Sequence, residues 1–210
     1  MNSIPRLLFG FWVIVAVAGL GAEAVAQPHV ETSKLFIAAV TDEAINALTE
    51  KGVGEVELAE RLRSVLVANL AVNNIGRVVL GRYWKSSTDA DKREFLQLFQ
   101  EVTVRAWSGR LGALEGQRFT VVSASDLENP NPNLRFAFVR TTFGTGSDLL
   151  PVDWQVATSN DVFKVTDVFV SGVSLVQAQK DEFDAVLRDN DGSLAALNDL
   201  LRERRDAAAN

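Results

Sequence analysis

Residues 134–170 read LRFAFVRTTFGTGSDLLPVDWQVATSNDVFKVTDVFV. Apolar and polar side chains alternate here with a period of two, the pattern of strands that bury one face. Leu134, Phe136 and Phe138 alternate with Arg135 and Ala137, predicting a strand that ends near Phe143. Gly144-Thr-Gly146-Ser supplies a hairpin loop. Leu150, Val152, Trp154 and Val156 alternate with Pro151, Asp153 and Gln155 in the next strand, which Thr158-Ser159-Asn160-Asp161 turns into another over Phe163 to Val170. An earlier strand fits Arg118 to Ser123, with Phe119 and Val121 on one side, before the loop-forming cluster Asn129-Pro130-Asn131-Pro132. Four neighbouring strands with short connections predict one twisted antiparallel meander.

On both sides of this stretch the period lengthens to that of a helix. Upstream, Thr32 or Ser33 can cap a helix from Lys34 to about Glu50, with Leu35, Ala38, Ala39, Ile45 and Leu48 on its apolar side. A second fits Glu55 to Leu70, and a third carries Ile75, Val78, Val79 and Tyr83 as far as Lys85-Ser86. Thr88 followed by Asp91 is a weak capping box for a helix bearing Phe95, Leu98, Phe99, Val102 and Ala106. Downstream, one helix runs from about Leu175 to Arg188, and Ser193 caps another through Arg202, after which a fraying tail is expected. Helices, then sheet, then helices is an α+β layout. The expected division is 1–26 leader, 27–205 one domain (27–115 mainly helical, 116–173 sheet, 174–205 helical) and 206–210 flexible tail.

The leader has its own logic. Arg6 precedes the uncharged run LLFGFWVIVAVAGLGA over residues 7–22, and Ala24-Val25-Ala26 is a small-x-small cleavage site. That is a secretory signal peptide, and the run is shorter than a membrane span. The mature chain would begin at Gln27, exported and soluble. With no cysteine it has no disulfides, so stability must come from the core, for which a full sequence that is 47% hydrophobic leaves ample material. Its net charge of −6 argues against nucleic acid, which selects a basic stripe, and against adhesion to anionic lipid surfaces.

Reactive chemistry is scarce. The one histidine, His29, lies just after the cleavage site and is expected on a loose terminus. Without cysteine and with no other histidine, thiol and serine–histidine–aspartate devices are excluded and zinc lacks its usual ligands. No nucleophile elbow or phosphate-binding glycine loop occurs. Asp153 should face solvent. Asp167, expected on the side of Phe163, Val165 and Phe169, reads as a hydrogen-bonding structural group. No catalytic residue, metal or cofactor is therefore expected.

Two segments carry a family pattern. One is Val79-Leu80-Gly81-Arg82-Tyr83-Trp84-Lys85-Ser86-Ser87-Thr88 with Lys92-Arg93-Glu94-Phe95 and Phe99 following. The other is Phe163-Lys164-Val165-Thr166-Asp167-Val168-Phe169-Val170-Ser171-Gly172-Val173-Ser174-Leu175-Val176 with Phe183 and the terminal helix following. In this order they resemble the MlaC, or toluene-tolerance auxiliary, family: the periplasmic phospholipid-binding component of the Mla pathway. The resemblance runs from about Phe36 to Leu201. Many members have a Phe-Asp pair where this chain has Leu70-Ala71, and an aromatic, often Trp, where it has Phe163. The resemblance implies a sheet curved over helices, as in the cone of the nuclear-transport-factor fold, with a deep apolar cavity between the layers. It implies acyl chains in that cavity and a phosphate head group near its mouth. It also implies a carrier in the periplasm that maintains outer-membrane lipid asymmetry. The implied partners are phospholipid as cargo, an outer-membrane lipoprotein–porin complex, and an inner-membrane MCE-domain ring attached to an ATP-driven (ABC) transporter.

A lipid carrier faces one physical demand. Two acyl tails hold on the order of 30 methylenes, each worth about 0.8 kcal/mol in an apolar site, or roughly 24 kcal/mol in all. A bilayer offers nearly the same, so the pocket must match a membrane without greatly exceeding it. Candidate tail contacts are Leu80, Tyr83 and Trp84 at the end of the third helix, and Phe95, Phe99 and Val102 on the next. From the strands come Phe136, Phe138, Val152, Trp154, Val168, Val170 and Val173. Gly81 and Gly172 read as structural, for a bend and for the end of a strand, and Ser174 as a helix cap. Arg77, Arg82, Lys85, Arg93, Arg105 and Arg110 could form a docking face. An exported enzyme on a similar cone, or a ligand-free interaction module, remain the alternatives.

Overall fold

Alternation in the central stretch builds a sheet, and the flanking helices cover one side of it. In the computed structural model residues 28–49, 54–111, 118–131 and 133–207 are described; the leader expected over 1–26 lies outside them. The strands are β1 (Phe119–Leu127), β2 (Arg135–Phe143), β3 (Leu150–Ser159), β4 (Val162–Val170) and β5 (Val173–Ser174), antiparallel throughout and in chain order across the sheet. β5, two residues long, is one strand more than the alternation predicts. The β3–β4 turn places Asn160 and Asp161 at φ of +49° and +60°, the hand that matches the twist of the paired strands.

Residues paired across the ladder share a face. The row Ala124, Val139, Trp154 and Val168 therefore points inward together, as does the row Ala137, Val156 and Val165. Ala137, Val139, Val156 and Val165 have no exposure at all. This corrects the reading of β2: its inward residues are Ala137, Val139, Thr141 and Phe143, while Phe136 and Phe138 lie on the outer face. Phe138 there meets the edge of Phe169 at 5.3 Å, under the Arg140 guanidinium at 5.9 Å. The reason is the covering helix. α1 (Pro28–Thr49) crosses β1, β2 and β3 directly, and small Ala137 permits that approach where a phenyl ring would not.

A bulge at Thr166 shifts β4 by one residue, so that Val156 pairs with Val165 but Gln155 pairs with Asp167. Phe163 and Val165 face inward before it, and Val168 and Val170 after it. Asp167 and Phe169 consequently share the opposite side from Phe163 and Val165, against the simple alternation. The far edge of β4 is also paired. Ala71 N–H donates to the Val165 carbonyl at 2.9 Å, giving a parallel bridge from Leu70, and β5 pairs with Phe169 and Val170 at the end of the strand.

α1 begins six residues earlier than its capping residues suggest, with Pro28 at its first position, where a missing N–H costs nothing. Its buried stripe is His29, Val30, Ser33, Ile37, Val40 and Thr41, whereas Leu35, expected inside, is 70% exposed. His29 is no loose terminus: its Nε2 lies 2.7 Å from Asp126 Oδ1 on β1. The remaining helices are α2 (Glu55–Asn69), α3 (Val72–Leu80), α4 (Tyr83–Ser86), α5 (Asp89–Leu111), α6 (Leu175–Asp189) and α7 (Leu194–Ala207). The single helix expected over 75–86 is cut at Gly81, whose φ of +50° suits glycine. Thr88 Oγ1 accepts from Asp91 N–H at 3.1 Å, the cap its position suggests. α7 continues past Arg202 because its basic side chains are held: Arg202 by Glu94 at 2.8 Å, Arg204 by Glu182, and Arg205 by Glu101 at 3.8 Å.

Candidate ligand cleft

The helix layer does not seal the whole sheet. Between β4, α5 and α6 lies a half-open cleft of about 260 Å³. α5 contributes Phe99, Val102, Thr103 and Ala106; β4 contributes Val165, Asp167 and Val168; Leu70 and Ile75 close one end. α6 supplies the longest wall, with Leu175, Val176, Ala178, Gln179, Glu182 and Phe183. The helical spacing that marks α5 as amphipathic puts Phe95 and Phe99 one turn apart. Phe95 stacks on Phe99 at 5.5 Å, and Phe183 meets both edge-on at 5.9 and 6.1 Å, fastening α6 to α5 beneath the cleft.

Of the sequence candidates the structure brings Phe99, Val102 and Val168 together here. Phe95 (0% exposed) and Leu80 (1%) are in the core behind it. Val152 and Trp154 are buried on the inner face of the sheet, where Trp154 Nε1 donates to Thr141 Oγ1 at 3.0 Å. Tyr83 and Trp84 stand apart; the Trp84 ring lies under Arg77 at 5.2 Å and Lys92 at 5.6 Å. Val170 is half-buried, Val173 is 60% exposed on β5, and Phe136 and Phe138 are on the outer face. Sequence reasoning missed the α6 wall. Leu175, Val176 and Phe183 belong to the family-like segments, but nothing in their spacing separates cleft from core.

Three of the polar residues at the cleft, Asp167, Gln179 and Glu182, are engaged. Asp167 accepts hydrogen bonds from Val168 N–H, Val176 N–H and the Ser174 hydroxyl. Glu182 pairs with Arg204 and accepts from Gln179 Nε2 at 2.9 Å. His29 and Asp126 form a partly buried pair away from the cleft, and the Ser33 hydroxyl turns to the His29 carbonyl rather than to its ring. Nearby, a more open recess of about 800 Å³ is lined by Thr32, Arg135, Thr158 and Asp161 together with Pro28 and Phe163, polar and apolar surface in similar measure. Among the described residues no His, Asp and Glu cluster is arranged for a metal, and no helix is long and apolar enough to cross a membrane.

Of the six basic residues expected on a docking face, the Arg110 side chain lies outside the described residues, and the other five are spread along the helices. Arg77, Arg82, Lys85 and Arg93 lie around α3, α4 and the start of α5, where Tyr83 and Asp184 raise the Arg82 pKa above its ordinary value. Arg105 is twelve residues farther along α5, about 18 Å away by helix rise, and donates to the Arg205 carbonyl.

A family model for MlaC proteins matches residues 38–203. The chain belongs to the MlaC family. It is 25% identical over 117 residues to the intermembrane phospholipid transport system binding protein MlaC of Haemophilus influenzae, covering 55% of this chain and 54% of that protein. The match thus spans about half the length of that curated relative. Among solved structures, a phospholipid-binding protein from Ralstonia solanacearum, in complex with a phospholipid, superposes with a TM-score of 0.71 at 19% identity. That superposition covers 84% of this chain and 98% of the other. The α+β expectation of an MlaC fold therefore holds, with five strands in place of four.

Proposed function

We propose that this MlaC-family chain is an exported, non-enzymatic phospholipid carrier that holds acyl chain in the cleft between β4, α5 and α6. The observation that carries the reading is that cleft, with a floor of Phe99, Val102, Val165 and Val168 beside the apolar core. Its charged rim groups, Asp167 and Glu182, are carboxylates that already have partners, so they add no strong clamp on a phosphate. Weak head-group contact suits a carrier, because cargo must leave as readily as it enters. The bound phospholipid and the transport role of the relatives support the same reading. In this reading the chain works in the periplasm between an outer-membrane lipoprotein–porin complex and an inner-membrane MCE-domain ring, and serves outer-membrane lipid asymmetry.

The cleft is small for a whole lipid. Spread over roughly 30 methylenes, 260 Å³ gives about 9 Å³ each, less than the roughly 10–15 Å³ that one water needs. Taking up both tails requires a wall to move. Extraction of the purified mature chain with organic solvent, followed by lipid mass spectrometry, tests the proposal. Co-purified phospholipid near one per chain is expected; chains that repeatedly emerge lipid-free would overturn it.

A further inference from the structure

One wall of the cleft is held at its start by polar bonds rather than by burial. β4 passes through Ser171-Gly172, at φ of +50° and +82°, into β5 and directly into α6. Two positive φ values make a tight hairpin turn, and Gly172 serves that backbone alone, since a Cβ there would meet nothing within 4 Å. The turn brings the first residues of α6 back beside Asp167. Asp167 Oδ1 accepts from Val168 N–H at 2.7 Å and from Val176 N–H at 3.2 Å, and Oδ2 accepts from the Ser174 hydroxyl at 2.6 Å. Ser174 Oγ in turn accepts from Gln177 N–H at 2.9 Å, capping the helix. Asp167 and Ser174 thus form a clasp between β4 and the first turn of α6.

The other walls are fixed differently. β4 is paired along one edge to β3 and is held on the other by the Leu70-Ala71 bridge at Val165 and by β5 at Phe169 and Val170. α5 is rooted by Phe95 and Leu98, at 0% and 4% exposure. Farther along α6, Phe183 is 1% exposed in its ring cluster, but Leu175 and Val176, which face the cleft from the first turn, are only half-buried. Lifting that turn exchanges bonds to a carboxylate for bonds to water and uncovers little apolar surface. That is an uphill but reversible step.

We propose that Asp167 is the positioning residue of the cleft: through Ser174 and Val176 it sets the distance of the first turn of α6 from β4, and so the rate at which phospholipid enters and leaves. This role rests on the carrier reading above. The test uses the mature chain loaded with a fluorescent phospholipid, with release timed into phosphatidylcholine vesicles, and amide hydrogen exchange at Val176 and Gln177 measured in parallel. Asp167→Asn and Ser174→Ala should release lipid roughly tenfold faster, the worth of one hydrogen bond to a charged group, and lose protection at those two amides. Ser174→Thr, which keeps the hydroxyl, should restore both. Ser193→Ala removes the α7 cap, a 3.3 Å bond from Ala196 N–H far from the clasp in sequence, and should lower melting temperature without changing release. Wild-type release rates in Asp167→Asn and Ser174→Ala would overturn the proposal, as would equal acceleration by Ser193→Ala. If the wild-type chain takes up no phospholipid, the carrier reading falls and this role with it; if uptake is normal and only the variants behave as wild type, the clasp alone falls.

Discussion

Under the middle of α1 the inner face of the sheet is filled; beside α6 it is not. The two regions share strands and a continuous apolar core, yet Ile37, Ala137, Val139 and Val156 close the one, while Val165 and Val168, themselves 0% and 3% exposed, border a 260 Å³ cleft in the other; a separate recess opens under the first turn of α1, at Pro28, His29 and Thr32. The difference lies in how each helix is fastened. α1 meets the sheet through side chains small enough for close contact, Ser33, Thr41 and Ala137, plus the His29–Asp126 pair. α6 stands off on bulky rings at its middle and a carboxylate at its start. Close packing supplies stability; the stand-off supplies room.

The contrast predicts a gradient of mutational effects. The largest belongs to the filled side: Trp154→Ala, which deletes a ring 8% exposed and its bond to Thr141, should cost about 3–5 kcal/mol in urea unfolding. A loss under 1 kcal/mol would show that this side is as loose as the cleft. Next, His29→Ala removes the bond that fastens the start of α1. Since the Asp126 side chain is 34% exposed and water can replace its partner, the cost should be about 1 kcal/mol, with lipid content unchanged. Thr88→Ala removes the α5 cap at the same scale, about 1 kcal/mol, visible as a lowered melting temperature. The smallest stability change belongs to the open side: Ala106→Trp at the cleft should stay within about 0.5 kcal/mol, because the new ring enters space rather than core. Co-purified phospholipid, measured by mass spectrometry, should nevertheless drop severalfold. Unfolding as severe as that of Trp154→Ala would mean the cleft is core after all.

Helix order, the Thr88 and Ser174 caps and the α5 stripe were all legible from spacing, because each depends on neighbours within one or two turns. The facing of β2 was not. A period of two defines two faces, and only the helix that lands on the sheet decides that Ala137 rather than Phe138 goes inside. The Thr166 bulge inserts a residue that alternation cannot register, which misplaced Asp167 by one face. The onset of α1 was hidden because His29 is secured by a residue nearly a hundred positions away. The cleft was legible least: Phe95 and Phe99 are chemically alike and one turn apart, yet one is core and the other also a cleft wall. Whether the space beside an aromatic is filled is a property of the assembly, not of the residue.

The pairing of Leu70-Ala71 with Val165 has a further consequence. An unpaired edge strand is a template on which a second chain can add its own strand, the first step of fibrillar association. Along β4 that template is interrupted, by Ala71 N–H on the Val165 carbonyl and by β5 on Phe169 and Val170. At the opposite margin β1 is interrupted by its own bulge between Val121 and Ser123, with Val122 turned 61% outward. Both borders of the sheet are thus partly blunted, so the molecule offers its neighbours only short stretches of ladder to climb.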